Sequence, residues 1–376
     1  MIRIVHVIPD LDAGGAETML AKLVGSMDRH RFSNAVISLT DRGQLGEEIE
    51  AVGVPVYALC MKRGRPDVFA IPRLIRLLRQ LRPTIVQSWL YHADLLSTLV
   101  VKLCGSPRLI WNLRCSNMDL EQYTPLTSLV QRVLAWQSAM PAAVVVNSEA
   151  GKLQHERLGY HPRRWEYIPN GFDTQRFLPD SKRRASRRNE WQLSDAAVLI
   201  ALIARVDPMK DHATFLEAAQ YVVKARRHAR FVLVGKDTET LASLMSEKGL
   251  KDAILVLGYQ SDVASLLPAI DVVCLSSAFG EGFPNVLGEA MACAIPCVST
   301  EVGDARRIIG DTGIIVPVRD SKALADAIID LIDRGADGRA LLGQAARVRI
   351  EKRYSLSTIT DMYMALYSEL SAAAEG

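Results

Sequence analysis

Residues 271–292, DVVCLSSAFGEGFPNVLGEAMA, read as a strand that runs through a glycine-rich loop straight into an apolar helix. DVVCLS supplies the strand, FGEGFPNVLGEA (279–290) the loop and helix start, and Met291 and Ala292 continue the apolar helix. Pro284 has the fixed φ of a first helical turn, and Asn285 is placed to cap that helix. Glu281 then falls on the loop and Glu289 a turn or so into the helix, both facing one cleft. Amides at such a helix start suit a phosphate. On spacing alone, the two glutamates read equally as solvated side chains around an ordinary N-cap.

The same strand–helix alternation extends in both directions. Strands are expected at 2–8, 34–39, 55–58, 85–87, 109–113 and 143–147, then at 198–203, 230–234, 254–257, 272–275, 296–299 and 314–316. Helical periodicity separates them, for example at 16–29, 69–81, 92–103, 124–138, 211–227 and 321–333. Alternation on this scale predicts α/β architecture with parallel, doubly wound sheets and right-handed crossovers. Two such series predict two Rossmann-like domains, 1–178 and 190–355, with the polar stretch 178–195 as linker and a C-terminal helix at about 356–376 packing back on the first. Ligands of such sheets bind beyond the carboxyl ends of the strands, so a crevice between two facing domains is the expected site.

Composition narrows the class. Of 376 residues, 49% are hydrophobic and 23% charged, too apolar for a disordered chain. The net charge is only +3, which argues against a whole-chain nucleic-acid binder. Residues 1–177 carry 21 basic and 16 acidic side chains, whereas 178–376 carry 24 and 26, so the basic excess lies in the first half. The six cysteines, Cys60, Cys104, Cys115, Cys274, Cys293 and Cys297, form no CxxC pair and read as buried reduced thiols. MIRIVHVIPD lacks the apolar core of a signal peptide, and the run at 95–101 ends at Lys102, well short of a membrane span. A soluble, cytoplasmic protein is the expectation.

Two further loops follow strands. ARVDPMKD (204–211) places Arg205 and Lys210 around a proline turn, where a guanidinium fork and a point charge suit a diphosphate; two surface cations are the plainer alternative. DAGGAE (12–17) puts Gly14 and Gly15 at a helix start, where backbone can approach a ligand closely. Neither GxGxxG nor GxxxxGK[ST] occurs, so nicotinamide cofactors and the common kinase and ATPase readings are unsupported. Asp311-Thr-Gly313 matches the aspartic-protease triplet, but that chemistry needs two such aspartates and only one copy exists.

These three loops, in this order, resemble the retaining glycosyltransferases of family 4, which have the GT-B fold of two Rossmann-like domains facing a central cleft. The resemblance spans nearly the whole chain, with supporting marks at VVVNSEA (144–150), IPNGFD (168–173), LVGKD (233–237), LGYQSDV (257–263) and 298–316. It implies an acceptor-binding first domain and a donor-binding second domain. Glu281 would contact donor-sugar hydroxyls and Glu289 the nucleotide ribose. Arg205 and Lys210 would hold the diphosphate and neutralise it as it leaves, aided by the backbone around Gly282, Phe283, Asn285 and Val286 and by the Gly14–Gly15 loop. Tyr259 and Gln260 would border the base. Two cations do electrostatically what a metal does elsewhere, so no cofactor or metal is expected; Asp10-Leu-Asp12 looks like a metal-binding DxD but sits in the wrong place for that role.

His92, at a helix start, reads as a group for donor or acceptor hydroxyls or a proton relay, or equally as a structural histidine. Arg114 falls where many family members carry a histidine, and a permanent cation there calls for an anionic group nearby. Retention implies front-face displacement, the leaving phosphate oxygen helping to take the acceptor proton. Residues 62–82 carry Lys62, Arg63, Arg65, Arg73, Arg76, Arg79 and Arg82 beside Leu74, Leu77, Leu78 and Leu81; they read as a helix for an anionic membrane surface, or as a core-facing helix with a solvated basic face. The resemblance thus implies a hexosyl- or N-acetylhexosaminyl-transferase that uses a UDP-sugar and a saccharide acceptor carried on a polyprenyl diphosphate, in surface-polysaccharide assembly at the inner membrane face. A nucleotide-sugar epimerase or phosphorylase of the same fold, or a non-catalytic lipid-sugar-binding subunit, are the rival readings. Nucleic acid is not an expected partner.

Overall fold

The computed structural model describes residues 1–373 apart from 13, 63–66, 68, 115–124 and 195. Cys115, Arg63 and Arg65 therefore lie outside the described residues. The chain divides into two compact units, Met1–Gly171 with Leu356–Gly376, and Phe172–Ser355. Each is built on one parallel sheet, the α/β architecture expected from the alternation.

The first unit contains β1 (Ile2–Ile8), β2 (Phe32–Ser38), β3 (Val56–Ala58), β4 (Ile85–Trp89), β5 (Arg108–Leu113), β6 (Ala143–Val146) and β7 (Trp165–Tyr167). Their order is β3-β2-β1-β4-β5-β6-β7, parallel throughout. Successive side chains of a strand point to opposite faces, so β1 feeds two cores. Ile4 and Ile8 join Leu20, Leu23, Ile359 and Leu366 under the helices Gly15–Ser26 and Leu356–Ala372. Val5 and Val7 join Leu74, Val100 and Leu134 under the helices Ala70–Leu81, Tyr91–Val100 and Pro125–Gln137. Fully burying such a side chain stabilises by roughly 1.5–3 kcal/mol.

The second unit contains β8 (Val198–Ile203), β9 (Ala229–Val234), β10 (Ile254–Gly258), β11 (Val272–Leu275), β12 (Cys297–Thr300) and β13 (Gly313–Val316), ordered β10-β9-β8-β11-β12-β13. All are parallel.

Several expectations are corrected. The stretch expected as a linker at 178–195 holds a helix instead, Ser181–Glu190, capped by Asp180, which accepts from the amides of Lys182 and Arg183. Arg188 of that helix is buried, donating to Asp271 at 3.0 Å and to the Ala197 carbonyl at 2.6 Å. The second unit accordingly begins at Phe172 rather than at 190. The edge strand β7 and the helix Gly335–Arg353 were also unforeseen, the first because it is three residues long, the second because its polar surface hides the periodicity. Cys60 is exposed, whereas Cys104, Cys274, Cys293 and Cys297 are buried free thiols. Among the described residues, no helix is long and apolar enough to cross a membrane.

Candidate functional site

In the second sheet the chain builds outward from β8 to β10 on one side and from β11 to β13 on the other. Strand order thus reverses between β8 and β11, and loops from such a reversal part to leave a crevice at the carboxyl ends. The 204–211 loop leaves β8 and the 276–284 loop leaves β11, so two segments far apart in sequence meet there. After Ala204, Asp207 caps the short 3₁₀ turn Pro208–Lys210 by accepting from the Met209 amide at 2.9 Å. Asp211 takes a left-handed conformation (φ 47°) and caps the helix His212–Ala225, accepting from the Thr214 amide and hydroxyl.

That turn delivers the Lys210 ammonium to the Glu281 carboxylate, Nζ to Oε1 at 2.5 Å. The pair is largely shielded, with side chains 17% and 9% exposed. Ser277 donates to the same Glu281 oxygen at 2.7 Å. Backbone links hold the loops together: the Ala278 amide donates to the Met209 carbonyl at 2.9 Å, and the Ser276 hydroxyl to the Lys210 carbonyl at 2.8 Å. Charge-assisted bonds in a shielded setting are the stronger kind, so Lys210 and Glu281 fix each other's position. Ser277 was missed in the sequence; its only signal was a serine pair at a strand end.

Arg205 does not share this pair. Its side chain is 61% exposed, and its guanidinium bonds Asp207 at 2.9 and 3.1 Å. Glu289 lies half-buried on the helix Asn285–Ala292. That helix starts one residue earlier than expected: Pro284 is its N-cap, without a side-chain cap, and Asn285 is its first helical residue. Gly282 accepts from the Asp304 amide at 2.8 Å, and Phe283 is buried, while Val286 is half-buried. Tyr259 is 70% exposed beyond β10, and the Gln260 amide turns back to the Leu257 carbonyl at 2.8 Å.

The first sheet reverses order between β1 and β4. Gly14 follows β1 and is the N-cap of the helix Gly15–Ser26. The Glu17 side chain folds over it: a Cβ on Gly14 would lie 2.2 Å from Glu17 Oε2. Glu17 is only 8% exposed. Burial pushes its pKa up against the pull of its own amide; Asp10 adds to the rise, while the Ala16 amide and Arg114 oppose it. Glu17 belongs to the DAGGAE motif, yet nothing in the sequence signals where its carboxylate goes.

His92 follows β4. The backbone before it is strained, with Leu90 at φ 67°, ψ 159°, a region few side-chain-bearing residues enter. The imidazole is exposed, and desolvation by the surrounding protein lowers its pKa. Arg114, at the end of β5, bonds Asn170 and the Tyr363 hydroxyl, the latter at 2.8 Å, and lies 4.8 Å over the Trp89 ring. The Arg114 charge also acts on Glu17, pulling its pKa down against the larger rise from burial. Among the described residues, no group of three or more His, Cys, Asp or Glu is placed to hold a metal ion.

Comparison with known proteins is consistent across the chain. Residues 197–334 match the family described as Glycosyl transferases group 1, and residues 13–176 match Glycosyltransferase Family 4. The UDP-Gal:alpha-D-GlcNAc-diphosphoundecaprenol alpha-1,3-galactosyltransferase of Escherichia coli is 23% identical over 88% of this chain and 86% of its own length. The phosphatidyl-myo-inositol mannosyltransferase of Mycobacterium leprae is 28% identical, over 86% of each chain. In structure, HepE of Anabaena, solved in complex with UDP, superposes with a TM-score of 0.85 at 19% identity, covering 98% of this chain and 100% of that one.

Proposed function

The chain belongs to glycosyltransferase family 4 and has the GT-B fold, and from that premise we propose that it transfers a sugar from a UDP-sugar to a lipid-linked saccharide with retention of anomeric configuration. The observation that carries the reading is the shielded Lys210–Glu281 pair at the reversal between β8 and β11. Glu281 presents carboxylate oxygens to donor hydroxyls, while Lys210, with Arg205 nearby, offers positive charge to the diphosphate. A leaving diphosphate gains negative charge as the glycosidic bond breaks, and preorganised cations stabilise that charge without reorganising. On this reading no metal is required. Glu289 takes the ribose, and the backbone around Gly282, Phe283, Asn285 and Val286 lines the phosphates, with Tyr259 and Gln260 toward the base. In the first unit, the helix start at Gly14 and Gly15 offers backbone amides suited to a phosphate, and His92 and Arg114 are the acceptor-side candidates.

The UDP preference and the lipid-linked acceptor are supported by the galactosyltransferase relative, whose name specifies both. Whether the sugar is a hexose or an N-acetylhexosamine is decided by a screen of UDP-, GDP- and ADP-sugars for binding and hydrolysis. Isomerised nucleotide sugar from donor alone would instead identify an epimerase. Transfer activity that survives both Glu281→Ala and Lys210→Ala would refute the site.

A peripheral membrane position fits the first unit. Arg73, Arg76 and Arg79 are exposed on the helix Ala70–Leu81, while Leu74 and Leu78 are buried. Its neighbours add exposed apolar groups: Leu99 and Leu103 near Lys102, then Leu129, Trp136 and Met140 with Arg132. Trp136 is 83% exposed. The only carboxylate within 70–82, 91–103 and 125–140 is Asp94, which is buried. Cations and apolar side chains on one set of neighbouring helices match an anionic bilayer surface, each well-placed cation adding about 1 kcal/mol.

A further inference from the structure

We infer that Ser277 is a positioning residue for recognition of the donor sugar: it pins one oxygen of the Glu281 carboxylate and leaves the other to the sugar hydroxyls. The inference deepens the proposed role of Glu281 and rests on it.

Both side-chain bonds to Glu281 go to a single atom. Lys210 Nζ reaches Oε1 at 2.5 Å, and the Ser277 hydroxyl donates to the same oxygen at 2.7 Å. Among the described residues, Oε2 takes no such bond. A carboxylate has about four acceptor positions, so the second oxygen keeps its own for ligand hydroxyls. The lysine alone would hold the carboxylate loosely, because an ammonium is a point charge on a flexible stem and can follow the group as it moves. The serine hydroxyl stands on a single carbon, so its donor stays where the backbone puts it. Two donors of such different reach on one oxygen fix where that oxygen lies, and the free one with it.

The backbone on either side of this bond is tied down independently. Ser277 is fully buried, and the Thr300 hydroxyl at the end of β12 donates to its carbonyl at 2.6 Å. Its neighbours Ser276 and Ala278 bond the carbonyls of Lys210 and Met209 in the loop after β8. At the Glu281 end, Gly303 (φ 50°) lies so close that a Cβ there would stand 2.5 Å from the Glu281 and Gly282 carbonyl oxygens, and the Asp304 amide donates to the Gly282 carbonyl at 2.8 Å. Removing the Ser277 hydroxyl touches none of these main-chain bonds, so it loosens the Glu281 side chain and not the loop. The consequence is selective. Glu281 meets the sugar of the donor, whereas the uridine and phosphates are held by other groups. Loosening it weakens a UDP-sugar and spares UDP, while a merely structural role for Ser277 would weaken both together.

The test is calorimetric titration of the full chain with UDP and with the tightest binder among UDP-glucose, UDP-galactose and UDP-N-acetylglucosamine, in parallel with thermal melting. In Ser277→Ala the ratio of the UDP-sugar to the UDP dissociation constant is expected to rise about tenfold, the scale of one hydrogen bond to a charged group. Glu281→Ala should raise it at least as far. If Ser277→Ala melts early, Ser277→Cys, close in size and only a weak donor, carries the same expectation. A ratio that stays at the parental value in the serine variants, whether both affinities fall together or neither moves, while Glu281→Ala raises it, would overturn this inference alone. A parental ratio in Glu281→Ala, or a parent that binds none of the three UDP-sugars, would overturn the donor reading and this inference together.

Discussion

The ring of Phe172 lies directly on the Cα of Gly288. A Cβ on Gly288 would stand 2.1 Å from Phe172 Cζ, and the Phe172 ring also stacks on Phe283 with centroids 6.1 Å apart. Phe172 is the first residue of the second unit, and Gly288 lies one position before Glu289 on the helix Asn285–Ala292. The contact sets the depth of the helix that carries Glu289 and follows Glu281.

Gly288→Ala is therefore expected to lower stability by about 1–3 kcal/mol, since both ring and helix are buried and neither can retreat freely. Donor affinity should fall with it. Chemical denaturation and UDP titration read the two effects, and a fully stable variant with parental affinity would show the packing to be looser than described.

Lys210→Ala should reduce the rate of sugar transfer by about 10²-fold or more, the scale of removing one preorganised charge stabiliser. Glu281 would be left 9% exposed without its cation, although Ser277 still donates to it, so some loss of stability is expected too. Steady-state kinetics with the preferred donor, at a temperature where the variant remains folded, separate the two contributions. Arg205→Ala should have a smaller effect, because that guanidinium is exposed and already paired with Asp207.

His6 predicts an acid-sensitive first unit. The ring is fully buried; one nitrogen bonds Asn34 Oδ1 at 3.1 Å and the other accepts from the Trp89 indole at 3.3 Å. Burial pushes its pKa from 6.5 down to about 4, against an upward pull from Asn34. Above pH 6.5 the ring is neutral whether folded or not, and its contribution is fully present. As pH falls, the unfolded chain takes up the proton first, so up to about 3 kcal/mol is lost by pH 4. Buried Asp94, whose pKa is raised well above the ordinary value by desolvation, acts in the opposite sense, so the comparison has to be internal. Unfolding free energies of the parent and of His6→Asn, measured from pH 7 to 4, should diverge in slope; parallel curves would refute the assignment.

Membrane attachment is expected to need both kinds of side chain. At low salt, liposomes containing anionic lipid should retain the parent chain, while Trp136→Ala and the double change Arg76→Glu with Arg79→Glu should each weaken retention several-fold. Neutral liposomes should bind all forms poorly. Equal flotation of every form would reduce the basic helix to a solvated face.

Strand–helix alternation, the two parallel sheets and the family were legible in the sequence, because period-2 and period-3.6 patterns and loop motifs are local properties. So were the residue types at Glu281, Glu289, Arg205 and Lys210. What only tertiary structure decided is which of them touch. Lys210 and Glu281 are 71 positions apart and meet because β8 and β11 are neighbours at a reversal of strand order. The partners of Arg114 come from positions 170 and 363, and the buried Arg188 turns an apparent linker into part of a domain. The Glu17 side chain is the clearest case: the sequence placed two glycines at a helix start, and burial and side-chain geometry determined that the Glu17 carboxyl folds back over it. Such contacts depend on closing long loops and excluding water, which no local pattern records.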